Sequence, residues 1–263
     1  MDLKLTGKRA LVTGSSSGIG EGIARMLAAE GCAVVVHGRN AERARKVADE
    51  IGAAAVALGD LSTDEGSDAV AAAAGEVDIL VNNAGGAAGT SAMSWTEVPS
   101  ALWVDTYQQN ALAAARMINR LLPAMQARGW GRVINVASAA GTQPIAFGPD
   151  YGAAKAAMIN MTQSLARSLG ACGVTANTVS PGMVLTPAVA KWFTGLSASM
   201  GWGDISLEEA ERRVTEQIVP IPVGRAGRVE DIAHAVCMIA SPNAGYITGA
   251  NVRVDGGQVQ AVN

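Results

Sequence analysis

The sequence predicts an α/β fold, a parallel sheet covered by helices on both faces. Two observations carry this. Short apolar runs rich in valine or isoleucine alternate with helical patterns for most of the 263 residues, and strand alternating with helix implies right-handed crossovers between parallel neighbours. The runs are short and rich in valine or isoleucine, as strands buried on both faces tend to be. The composition agrees, since 49% hydrophobic and 16% charged residues make a large core.

In chain order, the first strand is RALVTG (9–14), and the glycine-rich TGSSSGIG (13–20) follows it directly into a helical stretch, GEGIARMLAAEG. AVVVHG (33–38) is the second strand, succeeded by the helix NAERARKVADEI, and AVALGD (55–60) is the third. ILVNNAG (79–85), RVINVAS (132–138) and VTANTVSPG (174–182) are the fourth to sixth, and NVRVDGG (251–257) closes the sheet as the seventh. WVDTYQQNALAAARMINRLL and YGAAKAAMINMTQSLARSLG supply further helices. The alternation lapses over 187–224, where Trp192, Phe193 and Trp202 stand among glycines and serines in what reads as a loop. Ser206 and Glu209 then open a helix as a capping box. A long loop after the sixth strand, on the ligand side of an open sheet, reads as a lid, with Trp192 as a substrate contact. No repeat, charge block or low-complexity linker divides the chain, so residues 1–263 are expected to form a single domain.

Several classes fall away. A net charge of −3 offers no basic footprint for nucleic acid. The N-terminus MDLKLTGKRALVTG has no long apolar run, so neither a signal peptide nor a membrane span is expected, and the location is expected to be cytoplasmic. Cys32, Cys172 and Cys237 are odd in number and widely spaced, without a CxxC, which fits reduced cysteines and no metal site. His37 and His234 share no neighbouring ligand pattern and receive no chemical role here.

The glycine-rich turn suits a dinucleotide. Gly14, Gly18 and Gly20, with Ser16, Ser17 and Ile19 between them, let backbone approach a diphosphate at a helix N-terminus. Their spacing departs from G-x-G-x-x-G, and glycines alone also make plain strand-to-helix turns. The end of the second strand separates the cofactors. NAD-binding chains place an acid there to hold the ribose 2′-hydroxyl, whereas this chain has Arg39 and Asn40, with no carboxylate before Glu42. A guanidinium fork pairs with a 2′-phosphate that an acid would repel, so NADP is favoured and NAD is the second choice. Asp60 and Leu61, ending the third strand, are placed to meet the adenine, although Asp60 equally suits a turn cap. After the fourth strand, Asn83 can bridge neighbouring strand ends and the small Ala84 and Gly85 leave space for a ribose, although the motif alone equally reads as a simple Asn-rich turn.

The chemistry-bearing residues are Ser138, Tyr151 and Lys155. Tyr151 and Lys155 stand four apart, on one face of a helix, thirteen residues after Ser138. A phenol titrates near about 10, and a cation held close brings that value down. The set suits movement of a proton alongside a hydride.

Taken together, TGxxxGIG, NNAG, Asn110, Ser138, YxxxK and Pro181-Gly182 resemble the short-chain dehydrogenase/reductase family, in order and spacing. The resemblance covers essentially the whole chain, including PVGRAGRVEDIA (222–233) and ITGANVRVDGG (247–257). It implies a Rossmann-like, doubly wound sheet of seven parallel strands, a nicotinamide cofactor and a homotetramer. It implies that Tyr151 acts as general acid or base, that Lys155 lowers its pKa and holds the nicotinamide ribose, and that Ser138 hydrogen-bonds the substrate oxygen. Asn110, by residue type an exposed helix position of poor propensity, becomes by resemblance a group that perturbs the helix and completes a proton relay. Pro181, Gly182, Val184 and Thr186 are expected at the nicotinamide carboxamide. Ser17 stands where some NADP users carry a second basic residue.

The activity implied is that of an NADP-dependent carbonyl reductase acting on a small, uncharged, partly apolar ketone or secondary alcohol, such as a 3-oxoacyl or cyclic ketone. An NAD-dependent alcohol dehydrogenase is the alternative. A catalytically silent cofactor-binding protein would be expected to have lost one of Ser138, Tyr151 and Lys155.

Overall fold

A computed structural model describes residues 2–87, 89–90 and 93–261. The strands β1 (Arg9–Val12), β2 (Ala33–Gly38), β3 (Ala55–Leu58), β4 (Ile79–Asn82), β5 (Gly131–Val136), β6 (Val174–Pro181) and β7 (Asn251–Val254) form one sheet in the order β3-β2-β1-β4-β5-β6-β7. Every neighbouring pair is parallel. The order reverses between β1 and β4, which opens a crevice beyond their C-terminal ends. This is the Rossmann-like arrangement, with its ligand crevice at the switch point.

The helices are α1 (Gly18–Ala29), α2 (Ala41–Ile51), α3 (Asp64–Ala74), α4 (Ser100–Tyr107), α5 (Ala113–Arg128), α6 (Pro149–Leu169), α7 (Pro187–Ser199), α8 (Leu207–Arg213) and α9 (Val229–Ala240). Strand alternation divides the core in two. Ala10, Val12, Val34, Val36 and Ile79 face Ile23 and Leu27 of α1 and Ile232 and Val236 of α9. Leu11, Val35, Leu80 and Val133 face Val70 of α3 and Met117, Leu121 and Met125 of α5. Each such side chain removed from water contributes about 2 kcal/mol. Both faces being covered explains the valine- and isoleucine-rich runs of β1 to β4, whereas β6 carries Thr175, Asn177, Thr178 and Ser180. Among the described residues, no helix is long and apolar enough to cross a membrane.

Residues 187–199 are the helix α7, not the loop expected from their glycines and serines. Thr186 and Pro187 start it, and Val189, Phe193 and Leu196 give it an apolar stripe. Phe193 is buried with Ala210, Val214 and Ala226 in a small separate core. Ser206 Oγ accepts the Glu209 amide at 3.1 Å, but the Glu209 carboxylate pairs with Arg212 and Arg213, so the capping box is half formed. The buried Glu211 of α8 accepts from both terminal nitrogens of Arg228, at 2.7 and 3.0 Å, and from the Ala226 amide at 2.9 Å, fastening this helical segment to the scaffold.

Candidate active site

A cleft of about 620 Å³ runs across the C-terminal ends of the strands. Its floor is the turn from β1 to α1. Thr13 Oγ1 accepts the amides of Asn83 and Ala84, each at 2.9 Å, and Asn83 Nδ2 donates to the Thr13 carbonyl at 2.9 Å. The turn after β4 therefore brackets the turn after β1. Gly14 has φ +67° and so little room that a Cβ would lie 3.0 Å from the Ala84 Cα. A Cβ on Gly20 would run into the Gly14 carbonyl. Ser17 precedes α1 without a side-chain hydrogen bond to its first amides. A cradle that only glycine can form, at a helix start with uncapped N–H groups and a positive dipole end, fits a diphosphate.

At one end of the cleft stand Arg39 and Arg43. The Arg39 side chain is 70% exposed and meets Asp60 only at 3.9 Å, so it is free to turn to a ligand. Asn40 does not line the cleft. It caps α2, its Oδ1 accepting the Arg43 amide at 2.9 Å, and this places Arg43 in the first helical turn. Asp60 lines the cleft and also makes the turn: its Oδ1 accepts the Ser62 amide at 2.9 Å and the Ser62 hydroxyl at 2.8 Å. The amide bond above all holds this carboxyl below the usual range. Leu61 is buried and shows an edge to the cleft.

At the other end are Ser138, Tyr151 and Lys155. Ser138 follows β5, and its Oγ accepts the Ala140 amide at 3.2 Å. Tyr151, in the first turn of α6, keeps part of its surface open. Burial pushes its phenol above the ordinary value, and a hydrogen bond with Ser138 opposes part of that rise. Lys155, one turn later, is buried, and desolvation brings it down to about 8. Its ammonium donates to the Val136 carbonyl at 3.0 Å and lies 5.7 Å from the centre of the Tyr151 ring. Enclosure is the largest influence on the phenol, and the Lys155 ammonium is turned towards backbone. The phenol is therefore protonated at neutral pH.

Asn110 is fully buried, contrary to the exposed position that its residue type suggests. It stands in a π-helical turn, Gln108–Leu112, between α4 and α5. Its Oδ1 occupies the place where a Cβ on Gly85 would sit, and that Cβ would also come within 3.4 Å of Lys155 Nζ. Asn110 thus lies behind the cleft wall rather than on it. Pro181, Gly182 and Thr186 line the cleft, whereas Val184 is buried in a bridge to Gly227. Trp192, on α7, is 44% exposed, packs tilted against Phe193 with ring centres 5.5 Å apart, and does not line the cleft. Gly14, Ser16, Ser17, Gly18, Ile19, Gly20, Asn83, Ala84 and Gly85 also line the cleft. Sequence reading missed Arg43, Gln109 and His37, all of which line the cleft. Recognition of Asn40 as a helix cap would have exposed the first of these.

The same chain compares closely with known proteins. Residues 8–196 match the family model described as short chain dehydrogenase. The chain is 38% identical to the uncharacterized oxidoreductase YvaG of Bacillus subtilis (strain 168), with 100% of each covered. It is 36% identical to 3-oxoacyl-[acyl-carrier-protein] reductase FabG of Vibrio cholerae, covering 97% of this chain and 98% of that one. Among solved structures, L-sorbose reductase from Gluconobacter frateurii, complexed with NADPH and L-sorbose, superposes with a TM-score of 0.90 at 32% identity, with 100% of each chain covered. Fold, cleft and sequence agree, and the chain is an oxidoreductase of the short-chain dehydrogenase family.

Proposed function

We propose that this protein is an NADP(H)-dependent carbonyl reductase that converts an uncharged ketone to a secondary alcohol, the reverse oxidation being the same chemistry run backwards. One observation carries the reading: a single cleft holds Ser138, Tyr151 and Lys155 at one end and Arg39 with Arg43 at the other. The bound nicotinamide cofactor supplies the hydride. Tyr151 donates its phenolic proton to the substrate oxygen, and Ser138 donates a hydrogen bond to that oxygen as charge develops on it. Lys155 holds a positive charge behind the phenol and takes the nicotinamide ribose, while Asn110 keeps Lys155 and Gly85 in register. Pro181, Gly182 and Thr186 meet the carboxamide end. The glycine turn receives the diphosphate, and Arg39 and Arg43 grip a 2′-phosphate with two guanidinium forks.

Among the described residues that line the cleft, the charged side chains besides Lys155 are Arg39, Arg43 and Asp60, which follow the second and third strands. This favours an uncharged substrate over a phosphorylated one. The FabG and L-sorbose reductase relatives, named for ketone reduction, support the direction, and the latter was solved with NADPH. The reading extends to one domain with 187–224 as its substrate lid, a homotetramer and a cytoplasmic location.

Titration with NADPH and, separately, NADH, followed by the fluorescence of bound nicotinamide, tests the cofactor half. Tight NADPH and weak NADH binding is expected. A preference for NADH would remove Arg39 and Arg43 from the site and turn the reading towards alcohol oxidation with NAD.

A further inference from the structure

His37, next to last in β2, lines the cofactor cleft and is nearly inaccessible to solvent. Both ring nitrogens are engaged. The Gly14 amide donates to Nδ1 at 2.8 Å, and Nε2 lies 3.2 Å from the Gly59 carbonyl. An amide N–H only donates and a carbonyl only accepts, so these partners select one tautomer, neutral with its proton on Nε2. The backbone reinforces the join: the Ser15 amide donates to the His37 carbonyl at 2.9 Å, and the His37 amide donates to Ser15 Oγ at 2.9 Å. Gly14 begins the glycine turn, and Gly59 precedes Asp60 at the arginine end. One imidazole therefore joins the ends of β1, β2 and β3.

We propose that His37 is a positioning residue for the cofactor, a neutral imidazole that sets the height of the glycine turn and registers it against the Gly59–Asp60 end of the cleft. The proposal rests on reading the cleft as a dinucleotide site. Its chemistry is specific to the neutral ring. A proton on Nδ1 would set one N–H against that of Gly14 and release the turn. The charged groups that face the ring are Arg39, which opposes protonation, and Asp60, which favours it; burial outweighs both and takes the ring down to about 4.

The test is calorimetric titration with NADP⁺ of the full-length protein and of two variants, His37→Phe and His37→Asn, each with its thermal midpoint recorded. His37→Phe leaves the Gly14 amide unpaired and is expected to weaken binding about tenfold or more. His37→Asn, whose Oδ1 takes the place of Nδ1, is expected to stay within about threefold of the wild type. Below about pH 6, where the 2′-phosphate takes up its own proton in every variant, wild-type affinity should fall further towards pH about 4 than that of His37→Asn does. Undiminished binding by a folded His37→Phe would overturn the proposal while leaving the dinucleotide site intact. Where His37→Phe does not fold, an acid fall as steep in His37→Asn as in the wild type overturns it. A wild type that binds neither NADP⁺ nor NAD⁺ would instead remove the reading on which the proposal stands.

Discussion

Asn110 and Gly86 exchange two hydrogen bonds: the carboxamide Nδ2 donates to the Gly86 carbonyl at 2.8 Å, and the Gly86 amide donates to Oδ1 at 3.1 Å. Nδ2 also donates to the Thr106 carbonyl one turn back, at 2.7 Å. A side chain thus stitches the π-helical turn to the segment after β4, close behind Lys155. Asn110→Ala strips partners from several enclosed backbone groups at once. The expected cost is about 3 kcal/mol of stability, read from urea unfolding, together with loss of turnover. A variant as stable as the wild type would show that the π turn needs no stitch.

Gly85 is where Asn110 and Lys155 come together, and a Cβ there would displace the carboxamide. Gly85→Ala is therefore expected to move Lys155 relative to Tyr151. Misplacement on the ångström scale costs about a hundredfold in turnover. Steady-state kinetics check this, and unaltered kcat would mean that the wall yields without disturbing the lysine.

Arg39 and Arg43 lie at the same end of the cleft, so each is expected to act on NADPH and not on NADH. Losing one charge-assisted fork costs about 2 kcal/mol, roughly thirtyfold in affinity. Alanine at either position should raise the NADPH dissociation constant by about that factor and leave NADH binding unchanged. Equal weakening of both cofactors would assign the arginines to the common adenosine portion.

Lys155 sets stability against function. Burial lowers it from 10.5 to about 8, so between those values the unfolded chain holds a proton that the folded protein lacks. Stability therefore rises with pH across that window, and the full penalty is present below it. The penalty amounts to about 3 kcal/mol at neutral pH, partly offset by about 1 kcal/mol from the bond to Val136. Lys155→Met is expected to be more stable than the wild type by about 2 kcal/mol at pH 7, inactive, and closer to it at pH 10. Urea unfolding at the two pH values decides, and a variant no more stable at neutral pH contradicts the account.

Much of this was legible in the chain because the informative signals are local. The strands announce themselves as short valine and isoleucine runs, since a sheet covered on both faces has no polar side to confuse the pattern. Tyr151 and Lys155 stand out by their spacing, whereas Gly14 and Gly20 gain meaning from their place between the first strand and a helix. What was missed depends on distant partners or on irregular backbone. Asn110 looks exposed under a regular helical period, and the π turn shifts the face it presents. The helix at 187–199 was hidden by Gly195, Ser197 and Ser199, residues of modest helix propensity, although Val189, Phe193 and Leu196 already formed a stripe. His37 bonds to backbone groups of two other strand ends, and no sequence pattern marks such partners.

Tyr151 carries the central claim, that a protonated phenol in this cleft delivers a proton to a substrate oxygen. The direct measurement compares wild type and Tyr151→Phe for NADPH consumption with a ketone, alongside the NADPH dissociation constant of each. The expected result is loss of turnover by about a thousandfold, within the range for removal of a general acid, with cofactor affinity nearly unchanged. Turnover that survives in Tyr151→Phe would contradict the account, because the proton would then come from elsewhere.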